Sequence, residues 1–180
     1  MSQRKIANQL VLTIGALFFA ASACASSIQG SFETITGTGS VYRVIDGDTF
    51  IINVDETDTY NKFSEASQGE PRRLRYFNDN YQSIRVRLAN VDTPESVHSD
   101  NSLNTEEGRR ISEEVKALLE GNSTRISCFD WGYYGRAICS MTMPNGGDLG
   151  EWLIENGHSD YITRWGRHPH LDAEYQAAQD

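Results

Sequence analysis

Three short segments of this chain concentrate carboxylate and guanidinium side chains in polar turns beside β-rich sequence. They are Ile45-Asp46-Gly47-Asp48-Thr49, Val91-Asp92-Thr93-Pro94-Glu95 and Tyr134-Gly135-Arg136, and Arg87 precedes the second segment. Clustered carboxylates can bind a hard divalent cation, a further carboxylate can activate a water molecule, and arginines can hold an anionic phosphoryl group. Together these groups predict metal-assisted hydrolysis of a phosphodiester.

Short runs rich in β-branched residues are expected to form the strands that carry these turns. They lie at residues 41–45, 49–54, 84–91, 125–129 and 137–141. The dipeptide Asp46-Gly47 joins the first two runs and predicts a hairpin. The third run alternates apolar residues with Arg85 and Arg87, which is the period of a half-buried strand.

Two helices are expected, one after the third of these strands and one after the fifth. Thr105 can cap the N-terminus of the first helix, and Gly121 ends it. Asp148 opens the second helix, which Gly157 closes. Short strands interleaved with helices in this order predict an α+β protein, namely a β-barrel with helices of the OB-fold type, with a five-stranded Greek-key barrel and about three helices.

The three segments, taken in order and together with Arg87, resemble the thermonuclease (staphylococcal-nuclease-like) family. The resemblance extends from about Val41 to about Tyr175. It implies the same fold and an enzyme, a Ca²⁺-dependent nuclease and metal-dependent phosphodiesterase. Its substrates would be DNA and RNA, cut with low sequence specificity to leave 3′-phosphates.

The resemblance also implies roles for individual residues. Asp48 and Asp92 are the expected metal ligands, with the backbone carbonyl of Thr93 as a third, and oxygen-only ligation favours Ca²⁺ or Mg²⁺ over zinc. Asp46 is expected to shape the hairpin and to support the site from behind these ligands. The resemblance puts Ca²⁺ first.

The remaining site residues would act on the substrate. Glu95 would be the general base, or would orient the attacking water. Arg87 and Arg136 would hold the phosphate and stabilise charge on its oxygens in the transition state. Tyr134 could contact a sugar or a phosphate, and Trp165 could stack on a base. For both aromatic side chains, plain packing is the alternative.

The N-terminus predicts an exported protein. Residues 1–25 combine Arg4 and Lys5 with an apolar run that ends in small residues, which is typical of a secretory signal peptide. The alternatives are an uncleaved anchor helix and lipidation at Cys24. Cleavage would leave no stable membrane span, and the periplasm and the medium are both possible destinations. Residues 26–39 are expected to form a flexible linker before a domain at 40–180.

Export favours a disulfide between Cys128 and Cys139, which flank a turn-rich stretch; the alternative is two buried thiols. Residues 55–82 look like an insertion, because compact members of the family have a shorter connection there. We expect either a solvated loop or a basic tip near the substrate groove. His168 and His170 lie near the chain end with no evident third metal ligand, so we expect them to be solvated.

The net charge of −9 departs from the positive field that nucleic-acid binders usually carry. Salt screens such global charge beyond roughly 8–10 Å, so local arginines can still attract phosphate. We expect a monomer. Two competing hypotheses remain: a non-catalytic module of the same fold that binds nucleic acid or protein, and a calcium-binding surface protein. The first typically lacks the charged residues, and the second does not need Arg87 and Arg136.

Overall fold

The structure, a computed structural model, describes residues 32–180. Its strands are β1 (Ile35–Asp46), β2 (Thr49–Val54), β3 (Phe77–Asn78), β4 (Ser83–Leu88), β5 (Ser123–Trp131) and β6 (Ala137–Met141). They follow the order β2-β1-β5-β6-β4-β3, and a further pairing of β2 with β4 closes five of them into a barrel. Of the pairs that these strands form, β4 with β6 is parallel and the others are antiparallel. The predicted five-stranded barrel is confirmed, with β3 as an additional strand.

The α-helices of residues 32–180 are α1 (Thr57–Ala66), α2 (Pro71–Leu74), α3 (Glu106–Leu119), α4 (Leu149–Glu155) and α5 (Asp172–Gln179). Both predicted N-caps are confirmed. The Gly108 N–H donates to Thr105 Oγ1 at 2.8 Å, and the Glu151 N–H donates to Asp148 Oδ1 at 3.1 Å. The prediction of about three helices was too low because α1 and α2 lie within residues 55–82. No helix among the described residues is long and apolar enough to cross a membrane.

The segment 55–82 is a folded addition to the barrel, so the expectation of a solvated loop was wrong. Tyr60 and Phe63 of α1 are 5% and 0% exposed and belong to the hydrophobic core. The Tyr60 hydroxyl donates to Asp79 Oδ1 at 2.7 Å and ties α1 to the end of the segment. The insertion also contacts the segment Tyr134-Gly135-Arg136, because Arg75 Nη2 donates to the Tyr134 carbonyl at 3.1 Å.

The boundary predicted for the linker at 26–39 was also wrong in part. Residues 35–39 lie in β1 and pair with β5, from Ile35 beside Cys128 onward. Their glycines serve close packing here, since a Cβ on Gly39 would lie 2.4 Å from the Asn53 carbonyl oxygen. The predicted signal peptide and the rest of the linker up to residue 31 lie outside the described residues.

The core fills the barrel and the space under α3 and α4. A disulfide joins Cys128 of β5 to Cys139 of β6, and both residues are fully buried. The two cysteines are direct cross-strand partners, so the covalent bond fixes the register of the strands on either side of the turn that carries Arg136. The expected disulfide is therefore present in the structure.

His168 is not solvated as expected but is 1% exposed, between the barrel and α5. Its Nε2 lies 2.9 Å from Ser140 Oγ, and its Nδ1 accepts from the N–H groups of His170 and Leu171 at 3.2 and 3.0 Å. Two N–H donors on Nδ1 require an unprotonated Nδ1, so the neutral ring donates through Nε2 to Ser140. Burial, with a smaller effect from His170, lowers the pKa of His168 to about 4.

We expect this histidine to make the protein less stable as the pH falls. Between the ordinary histidine pKa and about 4, the unfolded chain binds a proton that the folded state excludes. The free energy of unfolding should therefore fall by about 2 kcal/mol from about pH 7 to about pH 5 through this group. Replacing His168 with Asn keeps an acceptor near Nδ1 and removes the titration, so urea unfolding of His168→Asn should show that much less loss. An unchanged pH dependence in His168→Asn would contradict the assignment.

Candidate active site

The β1–β2 hairpin presents the first pair of acidic side chains. Asp46 pairs with Thr49, which leaves Gly47 and Asp48 as the two-residue loop. A Cβ on Gly47 would lie 2.7 Å from Thr93 Oγ1. The glycine therefore allows the hairpin to pack directly against the second acidic segment.

Arg87 joins the carboxylates of the two segments. Its Nη1 donates to Asp48 Oδ1 at 2.9 Å, and its Nη2 donates to Asp92 Oδ1 and, at 3.5 Å, to the Val91 carbonyl. Asp48 has a 4% exposed side chain, whereas that of Asp92 is 41% exposed. The strand pairing brings Arg87 to Asp48, because Arg87 on β4 lies opposite Thr49 on β2. One carboxylate is thus at the bottom of the site and the other at its rim.

Asp48 is buried beside the hydroxyl groups of Thr49 and Thr93. Burial raises the pKa of Asp48 even though Arg87 opposes the shift. The Thr93 N–H donates to Asp48 Oδ2 at 3.3 Å, and Thr93 Oγ1 is buried without a hydrogen-bond partner. No group of three or more His, Cys, Asp or Glu within residues 32–180 is arranged to hold a metal ion. A cation here would depend on Asp48, Asp92 and the backbone carbonyl of Thr93, a donor set of oxygen atoms alone.

Glu95 and Asp46 form a second acidic pair beside Asp48. Loss of solvent around the Glu95 carboxyl raises its pKa, and a hydrogen bond to Asp46 and the charges of Asp46 and Asp48 raise it further. Asp46 Oδ1 also accepts from Ser96 Oγ at 2.6 Å and from Ser112 Oγ of α3 at 3.0 Å. Asp46 is therefore held by two serine hydroxyls, and Glu95 is a carboxylate whose proton affinity is increased.

Arg136 enters from the opposite side of the site. It directly precedes β6, whose parallel pairing with β4 sets Ala137 beside Val86. Arg136 Nη1 donates to Thr49 Oγ1 at 2.9 Å. Burial and the charge of Arg87 lower the pKa of Arg136. Two guanidinium groups that repel each other in a half-buried place favour an anion bound between them.

Beside these side chains lies one cleft with a volume of about 590 Å³. Its lining includes Arg87, Asp92, Glu95, Tyr134, Arg136 and Trp165. Tyr134 and Trp165 are 60% and 64% exposed, so most of each side chain is accessible at the cleft. Tyr133, Asp130 and Trp131 also line the cleft, and the sequence interpretation did not single them out.

Residues near the C-terminus complete the rim, and sequence reasoning missed them. The guanidinium carbon of Arg164 lies 3.9 Å from the centre of the Trp165 ring, and Arg164 Nη2 lies 3.4 Å from Asp92 Oδ2. Asn90 donates through Nδ2 to the carbonyls of Ile162 and Gly166 at 2.7 and 2.9 Å, and so holds this loop at the site. The only local signal was an asparagine at the end of a strand; its φ is +59°, a conformation that asparagine tolerates.

The structure thus brings together every residue predicted to act in the site. Asp48, Asp92 and Thr93 meet through Arg87 and the hairpin, with Glu95 and Asp46 on one side and Arg136 on the other. Tyr134 and Trp165 stand at the mouth of the cleft. One depression of the surface therefore contains Asp92, Glu95 and two arginines, and Asp48 bonds to Arg87 beneath it.

Comparisons with known proteins agree with this geometry. The model of the staphylococcal nuclease homologue family matches residues 85–180, more than half of the chain. Two relatives, from Escherichia coli O157:H7 and from Escherichia coli, are each named "Uncharacterized endonuclease". Each is 23% identical over 133 residues, which is 74% of this chain and 66% of the relative, so the chain spans slightly less than two thirds of these relatives. The chain belongs to the staphylococcal nuclease homologue family.

Proposed function

We propose that this protein is a nuclease that hydrolyses phosphodiester bonds in DNA and RNA and depends on a divalent cation, with Ca²⁺ the first candidate. The observation that carries the proposal is the joining of Asp48 to Asp92 by Arg87, with Glu95 and Arg136 lining the same cleft. Names of relatives add support, since both carry the word endonuclease.

The residues would divide the chemistry as follows. Arg87 and Arg136 hold the phosphate between them, and their N–H groups stabilise the charge that builds on its oxygens as water attacks. Glu95 accepts the proton of that water. Its raised pKa makes this carboxylate a stronger base than an ordinary glutamate. Asp48, Asp92 and the Thr93 carbonyl would hold the cation. When bound, Ca²⁺ would reduce the charge on the phosphate and make the attacking water more acidic.

Low sequence specificity follows from the kinds of contact that the cleft offers. Tyr134 and Trp165 can stack on any base, and arginines bind phosphate oxygens whatever the sequence. We infer cleavage that leaves 3′-phosphates, as the family resemblance implies. We also propose export through the signal peptide at 1–25, to the periplasm or the medium, and a monomeric protein. The disulfide between Cys128 and Cys139 is compatible with an oxidising compartment.

Removal of divalent cations is expected to abolish cleavage. Purified protein should degrade plasmid DNA and RNA with Ca²⁺, stop when a chelator is added, and recover when excess Ca²⁺ returns. Ca²⁺ should also raise the midpoint of thermal unfolding, because it binds only the folded site. Asp92→Asn should reduce that shift as well as the activity. Cleavage that persists in chelator would contradict cation dependence, and no cleavage with any divalent cation would contradict the nuclease assignment.

A further inference from the structure

A second depression, separate from the active-site cleft, lies on the outer surface of the barrel. It has a volume of about 280 Å³ and is formed by β1, β2, β4 and the end of the 55–82 insertion. We call it the tyrosine groove. Its lining includes three tyrosines and two arginines, namely Tyr42, Arg75, Tyr76, Tyr81 and Arg85.

The groove exposes aromatic rings that the fold does not need for packing. Tyr42 and Tyr81 are 64% and 70% exposed, and neither belongs to the core cluster. Tyr42 lies where the pairing of β1 with β2 shifts register between Val41 and Arg43. Exposed tyrosines that flank one depression offer the kind of surface on which unpaired bases stack.

The groove is also positively charged, in a chain whose net charge is −9. None of its lining residues is acidic. The guanidinium carbons of Arg75 and Arg85 lie 4.7 and 5.3 Å from the centre of the Tyr76 ring. Among residues 32–180 neither arginine has a carboxylate partner within ion-pair distance. Their charge is therefore free to attract an anion.

The tyrosine groove adjoins the active site. Arg85 and Arg87 are two positions apart on β4, so their side chains project from the same face about 7 Å apart along the strand. Arg75 reaches the Tyr134 carbonyl, and Gly135 packs so closely against α2 that a Cβ there would lie 2.3 Å from the Arg72 carbonyl oxygen. A chain bound at Arg87 can therefore continue along the same face of β4 to Arg85.

We propose that the tyrosine groove binds a single-stranded stretch of the nucleic acid that flanks the scissile phosphate. Arg75 and Arg85 contact its phosphates, and Tyr42 and Tyr81 stack on its bases. The site depends on the insertion, which supplies Arg75, Tyr76 and Tyr81. The proposal rests on the nuclease function above. A single strand fits better than a duplex, because stacking on tyrosine requires bases that are free of a partner strand.

Binding measured without cleavage tests the groove directly. We expect the double variant Tyr42→Ala/Tyr81→Ala to bind fluorescent oligothymidylate at least about tenfold more weakly than wild type in chelator, by anisotropy. Arg85→Gln should lower the salt dependence of binding, with a slope of log K against log salt reduced by about 0.7. The matched control is Arg110→Gln on α3, which removes the same charge from a side chain that is 57% exposed and not part of the groove lining.

Steady-state kinetics separate this proposal from the nuclease function itself. The double variant should raise KM for the oligonucleotide and leave kcat, and the cleavage of a dinucleotide too short to reach the groove, unchanged. If wild type cleaves the oligonucleotide but the double variant keeps full affinity and the same KM, the proposed role of the groove is wrong. An equal loss of affinity for duplex DNA would also overturn it, since stacking would not be the cause. Wild type that neither binds nor cleaves would instead overturn the nuclease assignment.

Discussion

Replacing Glu95 with glutamine is expected to lower kcat for DNA cleavage by about 10²–10⁴-fold, which is the usual contribution of a general base. Glutamine has nearly the same shape, but it cannot accept a proton from water. KM should change little, because Arg87 and Arg136 rather than Glu95 hold the phosphate in the proposed complex.

The same substitution should not destabilise the protein, and this separates a catalytic role from a structural one. Loss of solvent and the charges of Asp46 and Asp48 raise the pKa of Glu95, so its ionised form is disfavoured in the folded state. A raised carboxyl pKa contributes stability only at low pH and loses it as the pH rises through the folded-state value. At neutral pH, Glu95→Gln should therefore unfold at the same temperature as wild type or a higher one.

Glu151→Gln is the matched control for Glu95→Gln. The pKa of Glu151 is also raised, by loss of solvent and by neighbouring acids, but Glu151 lies on α4 and does not line the cleft. It should keep full activity. If Glu95→Gln retained wild-type kcat under saturating Ca²⁺, Glu95 would not be the base.

The parts of the fold that follow local rules could be predicted from sequence. Asp46-Gly47 gave the hairpin, and Thr105 and Asp148 gave the helix starts, because each is decided by hydrogen bonds within a few residues. The strand predicted at 84–91 ends earlier, at Leu88, since Asn90 turns the chain with its positive φ. That turn depends on carbonyl groups of Ile162 and Gly166, which no local pattern shows.

The missed features share a dependence on distant contacts. The sequence of α1 is polar, and its attachment through Tyr60 and Phe63 becomes visible only when the barrel is present to receive them. In the sequence, His168 cannot be told from a solvated histidine near a chain end, because its contact with Ser140 forms only in the folded protein. Ser112 and Arg164 reach Asp46 and Asp92 from other elements of the fold. Acidic and basic residues in turns were recognisable because their spacing matched a known pattern, whereas single serines and arginines matched none.

Of the two arginines in the site, Arg136 allows the clearer test of phosphate binding. Arg87 bonds to both Asp48 and Asp92, so its loss would release two carboxylates and disturb the proposed cation site at the same time. The Arg136 side chain has a single polar partner among the hydrogen bonds of residues 32–180, namely Thr49 Oγ1. A change at Arg136 therefore alters the contact with substrate more than the framework.

Arg136→Lys is expected to lower kcat by about 10²–10³-fold, the cost of removing one oriented donor from the transition state. Lysine keeps a positive charge but presents a point charge in place of a fork that can bond two phosphate oxygens. Burial and Arg87 lower the pKa of Arg136, so the folded protein gains little from this charge and the free energy of unfolding should stay near wild type. Single-turnover cleavage with Ca²⁺ would measure the chemical step apart from product release. Arg110→Lys, an equivalent change in an exposed ion pair with Glu114, should be silent. An undiminished single-turnover rate in Arg136→Lys would mean that a positive charge suffices and that the guanidinium does not grip the phosphate at two points.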